Sequence, residues 1–166
     1  MSCRFFPSFP ERWSRLLAVL GVLLAPVAAA AAAPQAILPF GANTWSELAQ
    51  SKRRPLVVVF STTDCAHCPK AIDDLAMAIR KADSRVRLAV VVMDGAGQEE
   101  ALRADRHYRM ANALYAFDGD AMALRFKVNP DWRGLTPYVA LIPATGAIRF
   151  HAGPPPPEVL RAFLRP

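Results

Sequence analysis

Apolar positions along the chain occur both as unbroken runs and at regular spacings, and the two predict different elements. Leu56–Ser61 and Val86–Met93 are Val-rich runs without polar alternation, which reads as strands buried on both faces. Between them Ile72, Leu75, Ala76 and Ile79 recur at helical spacing, while Asp73, Asp74, Arg80 and Lys81 take the other face. Pro69 falls in the first turn of that helix, where a missing N–H costs nothing. Upstream, Thr44-Trp-Ser-Glu47 has the form of a capping box and predicts a short helix reaching about Lys52. After Asp94-Gly-Ala-Gly97 the segment Gln98–Phe117 is helical in pattern, Gly119 breaks it, and a short turn is expected around Ala121–Lys127. Asp118 and Asp120 read as turn and N-cap residues, and Trp132–Leu135 as loop. Tyr138–Ile142 and Ala147–His151, joined through Ala144-Thr-Gly146, predict a β-hairpin with a three-residue loop. Pro154–Pro157 stiffens the link to a last helix, Glu158–Leu164, which turns Val159, Leu160, Phe163 and Leu164 inward.

Strands and helices therefore alternate first and end in a β–β–α unit, which predicts an α/β domain with a mixed central sheet flanked by helices. No internal repeat or interdomain linker interrupts it, so residues 34–166 are expected to form a single domain.

The first 33 residues follow a different plan. A basic leader precedes the apolar run Leu16–Ala25, and a small-residue tract, Val27–Ala33, ends it. That is the order of a secretory signal peptide. Pro34 disfavours scission directly after Ala33, which places the expected cut one to several residues earlier. An uncleaved anchor is the alternative reading of Leu16–Ala33, weakened by the weakly apolar tract after Pro26. Either way the domain is expected outside the cytoplasm, periplasmic or secreted, where disulfides persist.

Composition sharpens this reading. Apolar residues make up 53% of the chain, and the leader holds the excess. Removing Arg4, Arg12, Arg15 and Glu11 lowers the net charge from +6 to +4. The remaining basic residues are scattered, which argues against a nucleic-acid partner.

Three cysteines are present, and Cys3 lies in the leader. The other two, Cys65 and Cys68, stand two residues apart and cannot staple a distant part of the chain. They fall where a buried strand gives way to a helix. Together with the later β–β–α unit and the Thr136-Pro137 step that opens its first strand, this arrangement resembles the thioredoxin fold over roughly residues 42–165. The resemblance implies an exported thiol–disulfide oxidoreductase whose cofactor is nothing more than a redox-active Cys65–Cys68 disulfide. It implies a cis-proline at Pro137 packed against that disulfide, and a Thr136 backbone that pairs with substrate. Trp132, near the substrate-side loop, is a candidate for lining a binding groove and equally for a packing residue. Implied partners are proteins with cysteines or a disulfide and a membrane redox partner, with the chain itself a monomer.

Residue chemistry agrees. A thiolate is the attacking species, and Cys65 beside a helix N-terminus faces unpaired N–H groups and the positive end of the dipole. Cys65 is the expected nucleophile and Cys68 the resolving thiol, with His67 adding positive charge or a hydrogen bond and Lys70 a weaker contribution. Some residues depart from the family pattern. Asp64 puts a carboxylate where a tryptophan usually precedes the first cysteine, and Val59 stands in place of the buried acid. Thr136 before Pro137 resembles the exported isomerases, yet nothing here could supply their dimerisation domain. The direction of electron flow therefore stays open among oxidation, reduction and isomerisation. The other functional class is delivery of copper, or binding of a partner chain without turnover. For the remaining candidates, His107 is expected to be a solvated helix residue and His151 structural or exposed. Met77, Met93, Met110 and Met122 fall at core-like positions.

Overall fold

A computed structural model describes residues 36–165. The signal segment expected over residues 1–33 lies outside the described residues.

Among the described residues twelve short elements succeed one another. The strands are β1 (Ile37–Phe40), β2 (Leu56–Ser61), β3 (Arg87–Val92), β4 (Ala113–Phe117), β5 (Tyr138–Ile142) and β6 (Arg149–Ala152). The helices are α1 (Thr44–Gln50), α2 (Cys68–Lys81), α3 (Glu99–Ala104), α4 (Ala121–Val128) and α5 (Pro157–Leu164), with a 3-10 turn at Tyr108–Met110. The strands form one mixed sheet in the order β1-β4-β3-β2-β5-β6. Pairing is parallel from β1 through β2 and antiparallel from β2 to β6.

Every residue of β2 is buried, because β2 lies between β3 and β5 with helices on both faces. Val57 and Val59 pack towards α2 and α5, against Ile72, Leu75 and Phe163. Val58 and Phe60 pack the other way, against Phe40, Leu124 and Trp132. A strand with two buried faces has no use for polar alternation, which is why its sequence shows none. Full burial of such a valine contributes about 1.5–3 kcal/mol.

Several elements differ from the sequence pattern. Gln98–Phe117 is not one helix: α3 ends at Ala104, where Asp105 turns extended, and Ala113–Phe117 is a strand. Asn112 drives the change, bonding Leu88 through both its backbone N–H (2.7 Å) and its side-chain carbonyl (2.8 Å), and so draws β4 alongside β3. The turn expected at Ala121–Lys127 is helix α4, capped by Asp120, whose carboxylate accepts the Ala123 N–H at 2.7 Å. Leu124 and Val128 face inward, but Met122 and Phe126 are 71% and 64% exposed, so α4 carries no clean amphipathic pattern. Met77 is likewise exposed, so neither Met77 nor Met122 is a core residue. β1 has no expected counterpart. The capping box at Thr44 does not form: Asn43 is the N-cap, and the Thr44 hydroxyl instead accepts the Gly41 N–H at 3.0 Å. The hairpin loop runs through residues 143–148, longer than expected, since Pro143 has no N–H with which to continue the ladder.

Candidate functional site

β2 ends at Ser61, and the chain then makes two tight steps before α2 begins. The Cys65 N–H donates to the Thr62 carbonyl at 3.3 Å, and the Cys68 N–H to the Cys65 carbonyl at 3.2 Å. His67 is the N-cap, Cys68 opens the helix and Pro69 sits in the first turn. No side chain caps this end of α2, which leaves its positive dipole end beside the cysteine pair. Cys65 and Cys68 are joined as a disulfide, with their Cα atoms 5.4 Å apart. The two sulfurs are not equivalent. Cys68 is buried at 2% exposure, whereas Cys65 is only partly covered and is flanked by exposed Asp64, Ala66 and His67.

The turn that carries Cys65 is held from two sides. Asp94, just past β3, accepts the Thr63 N–H at 2.9 and 3.1 Å and the Thr63 hydroxyl at 2.6 Å. From the other side comes β5. Its antiparallel register sets Tyr138 opposite Phe60, so the preceding Thr136-Pro137 step runs beside the exit of β2. The Thr136 and Thr62 hydroxyls lie 3.5 Å apart. The Thr136–Pro137 peptide bond is cis, Pro137 is buried, and its carbonyl accepts the Gly153 N–H at 2.8 Å. The structure thus brings Cys65, Cys68, Thr136 and Pro137 to one end of the sheet, with His67 at its rim.

Trp132 lies inside rather than on a groove wall. It is 7% exposed and stacks on Tyr138 at 4.5 Å, with Phe60 at 4.9 Å. Its indole N–H donates to the Leu135 carbonyl at 2.9 Å, so it packs beneath the loop that delivers Thr136. Lys70 is paired with Asp74 at 2.6 Å on the exposed side of α2. Val59 is fully buried between Val90 and Val139, an apolar site where a carboxylate would have no partner. His107 is not a solvated residue: its Nδ1 lies 2.8 Å from the Asp73 carboxylate, tying α2 to the 3-10 turn. His151 stands opposite Val139 on β6, with its buried Nε2 unpartnered among the described residues. Burial, reinforced by the Arg149 charge, holds its pKa below the usual imidazole value. No group of three metal-binding side chains gathers among the described residues. Nor is any described helix long and apolar enough to cross a membrane.

Two contributors escaped the sequence reading, Asp94 and the Asp73–His107 pair. An acid directly after a buried parallel strand was the available signal for Asp94. Nothing in the spacing marked the pair.

No protein-family model and no curated protein matches the chain. Among solved structures, an uncharacterized thioredoxin-like protein from Porphyromonas gingivalis is similar at 18% identity. That match has a TM-score of 0.51 and covers 69% of this chain and 78% of that one. StoA from Bacillus subtilis matches at 17% identity and TM-score 0.48, covering 70% of this chain and 86% of its own. A secreted disulfide oxidoreductase of Mycobacterium tuberculosis, homologous to DsbE of E. coli, matches at 19% identity and TM-score 0.45. Coverage there is 61% and 70%. With a mixed sheet between two helical layers, a disulfide at the β2–α2 junction and a cis-proline entering β5, the chain has the thioredoxin fold.

Proposed function

We propose that the protein is an exported thiol–disulfide oxidoreductase that exchanges disulfides with protein cysteines through Cys65 and Cys68. The carrying observation is the asymmetry of the pair: one sulfur is within reach of a partner, and its mate is buried at the start of α2.

From the disulfide form, a substrate thiolate attacks the Cys65 sulfur. The Cys65–Cys68 bond breaks, a bond from substrate to Cys65 forms, and the electron pair leaves on Cys68 as a thiolate. A second substrate thiolate then attacks the substrate sulfur of this mixed disulfide and releases the Cys65 thiolate. Two electrons have passed from substrate to protein, and the substrate holds the new disulfide. The reverse sequence starts with Cys65 thiolate attacking a substrate disulfide, and Cys68 resolves the intermediate. In both directions the positive end of α2 favours the Cys65 thiolate, with His67 adding a donor or a positive charge at the rim. Thr136 and Pro137 form the wall against which the substrate chain lies. In the reverse sequence Cys68 must lose its proton before it attacks, and since Val59 offers no base the proton passes to water or another group.

In this reading residues 1–33 are the export signal and the domain from residue 34 onward acts as a monomer outside the cytoplasm. Its partners are cysteine-bearing proteins and a membrane protein that resets the pair. Dithiothreitol-driven reduction of insulin tests the chemistry: the chain accelerates it and Cys65→Ser abolishes the acceleration. Unchanged activity in Cys65→Ser would end the proposal. Trapping mixed disulfides with Cys68→Ser in whole cells identifies the partners.

A further inference from the structure

A cavity of about 490 Å³ opens at the pole of the sheet opposite the disulfide, between α1 and the starts of β2, β3 and β4. β2 separates the two ends by on the order of 16 Å, so this cavity plays no part in the exchange chemistry. Its volume falls in the range of small-molecule sites. Leu48, Leu56 and Ala89 give it an apolar wall, and Leu38 extends that wall to the surface.

The polar part of the lining is unbalanced. Arg53 and Arg87 both border the cavity, and neither guanidinium has an ion pair or side-chain hydrogen bond among the described residues. The Tyr115 phenol belongs to the same lining. Burial raises its pKa, the charges of Arg87 and Arg53 oppose the rise and the Glu47 charge adds to it, so two positive charges and one negative one act on the hydroxyl. Asn112 has committed its carbonyl to the Leu88 N–H at 2.8 Å, so only its amide hydrogens are left to give. Ser51 has likewise accepted the Arg53 N–H at 3.0 Å. Glu47 is the one acid in the lining, and it is paired with neither arginine. Donors and positive charge are therefore in surplus, and the ligand that balances them brings acceptors and one negative charge. A planar carboxylate matches the fork of a guanidinium.

We infer that this cavity is a binding site for a small carboxylate with an apolar body. The head lies between Arg53, Arg87 and the Tyr115 hydroxyl, and the tail lies on Leu48 and Leu56.

Octanoate is the probe, with 1-octanol as its uncharged counterpart, each titrated into the full chain and followed by amide NMR shifts. Octanoate is expected to saturate below about 10 mM and to move the Leu88, Asn112 and Tyr115 amides. Octanol is expected to bind at least about tenfold more weakly, and a rise to about 0.5 M salt to weaken octanoate alone. Arg53→Ala with Arg87→Ala lowers octanoate affinity about tenfold or more while insulin reduction continues unchanged. If that double variant loses its dispersed spectrum, Arg53→Ala alone, at an exposed side chain, gives the same direction. Lack of saturation, equal binding of octanol, unaltered affinity in the arginine variants, or shifts confined to the Cys65–Pro137 end would each overturn the site.

Discussion

Asp94 grips Thr63 by three hydrogen bonds, two from the backbone N–H and one from the hydroxyl. The contact spans 31 residues and fixes the turn between β2 and the cysteine pair to the end of β3. Hydrogen bonds to a charged acceptor contribute more than neutral ones, though the exposure of this contact discounts them. Asp94→Ala is therefore expected to cost about 1 kcal/mol, a few degrees in Tm. Asp94→Asn, which keeps an acceptor, costs less. Thermal melts of the oxidised proteins check the order. Alkylation of Cys65 in the reduced proteins shows whether the freed turn exposes the sulfur further, and an unchanged Tm and rate in Asp94→Ala would remove the clamp.

The redox prediction sets two nearby charges against each other. The open end of α2 stabilises a Cys65 thiolate, and the Asp64 carboxylate beside it opposes that effect. Stabilising the thiolate stabilises the reduced form and makes the disulfide more oxidising. The pair is expected to titrate above the potential of cytosolic thioredoxin, about −270 mV. Asp64→Asn should raise the potential further and lower the Cys65 thiol pKa. Equilibration with glutathione reads the first and thiolate absorbance the second. A potential at or below thioredoxin's sinks the argument for an oxidising pair.

The elements around the cysteines were the legible part of this chain, because each is decided by its own residues. β2 declares itself by a Val-rich run, α2 by one apolar stripe behind Pro69, and α5 by Val159, Leu160, Phe163 and Leu164. The elements that went unread depend on neighbours. β4 becomes a strand only because β3 and β1 pair with it on either side, and α4 hides its period by exposing Met122 and Phe126. The same division runs through the site. Cys65, Cys68, Thr136 and Pro137 stand out by type and position. Asp94 contributes by touching a residue far away in sequence, and Trp132 turns out to pack below the Thr136 loop for the same reason: tertiary contacts decide its role.

Trp132 is accordingly a stability residue with an effect on the site. Its ring fills the space between Phe60 and Tyr138, and its N–H holds Leu135 one residue before Thr136. Truncation to Ala is expected to cost about 3–5 kcal/mol in urea unfolding. Trp132→Phe keeps most of the packing and loses the bond to Leu135. It should therefore retain most of the stability yet raise KM for a protein substrate more than it lowers kcat. A variant that loses kcat with KM intact would place Trp132 in the chemistry instead.

His151 supplies a pH dependence whose sign follows from its surroundings. Burial and the Arg149 charge push its folded-state pKa below the ordinary value of 6.5, and its buried Nε2 has no partner among the described residues to compensate protonation. Folding therefore favours the neutral ring. At a pH above the unfolded-state value the ring is neutral in both states, and the favourable contribution is fully present. As pH falls below that value the unfolded chain takes up a proton that the folded chain resists, and stability declines until pH passes through the folded-state pKa. His151→Phe removes this term while keeping an aromatic ring against Val139. Urea unfolding between about pH 7 and pH 5 should show a steeper loss for the unmutated chain than for His151→Phe. Arg149→Gln should fall between them, since it removes the second cause and leaves burial in place. Parallel pH profiles for the unmutated chain and His151→Phe would show that the ring titrates alike in the folded and unfolded states.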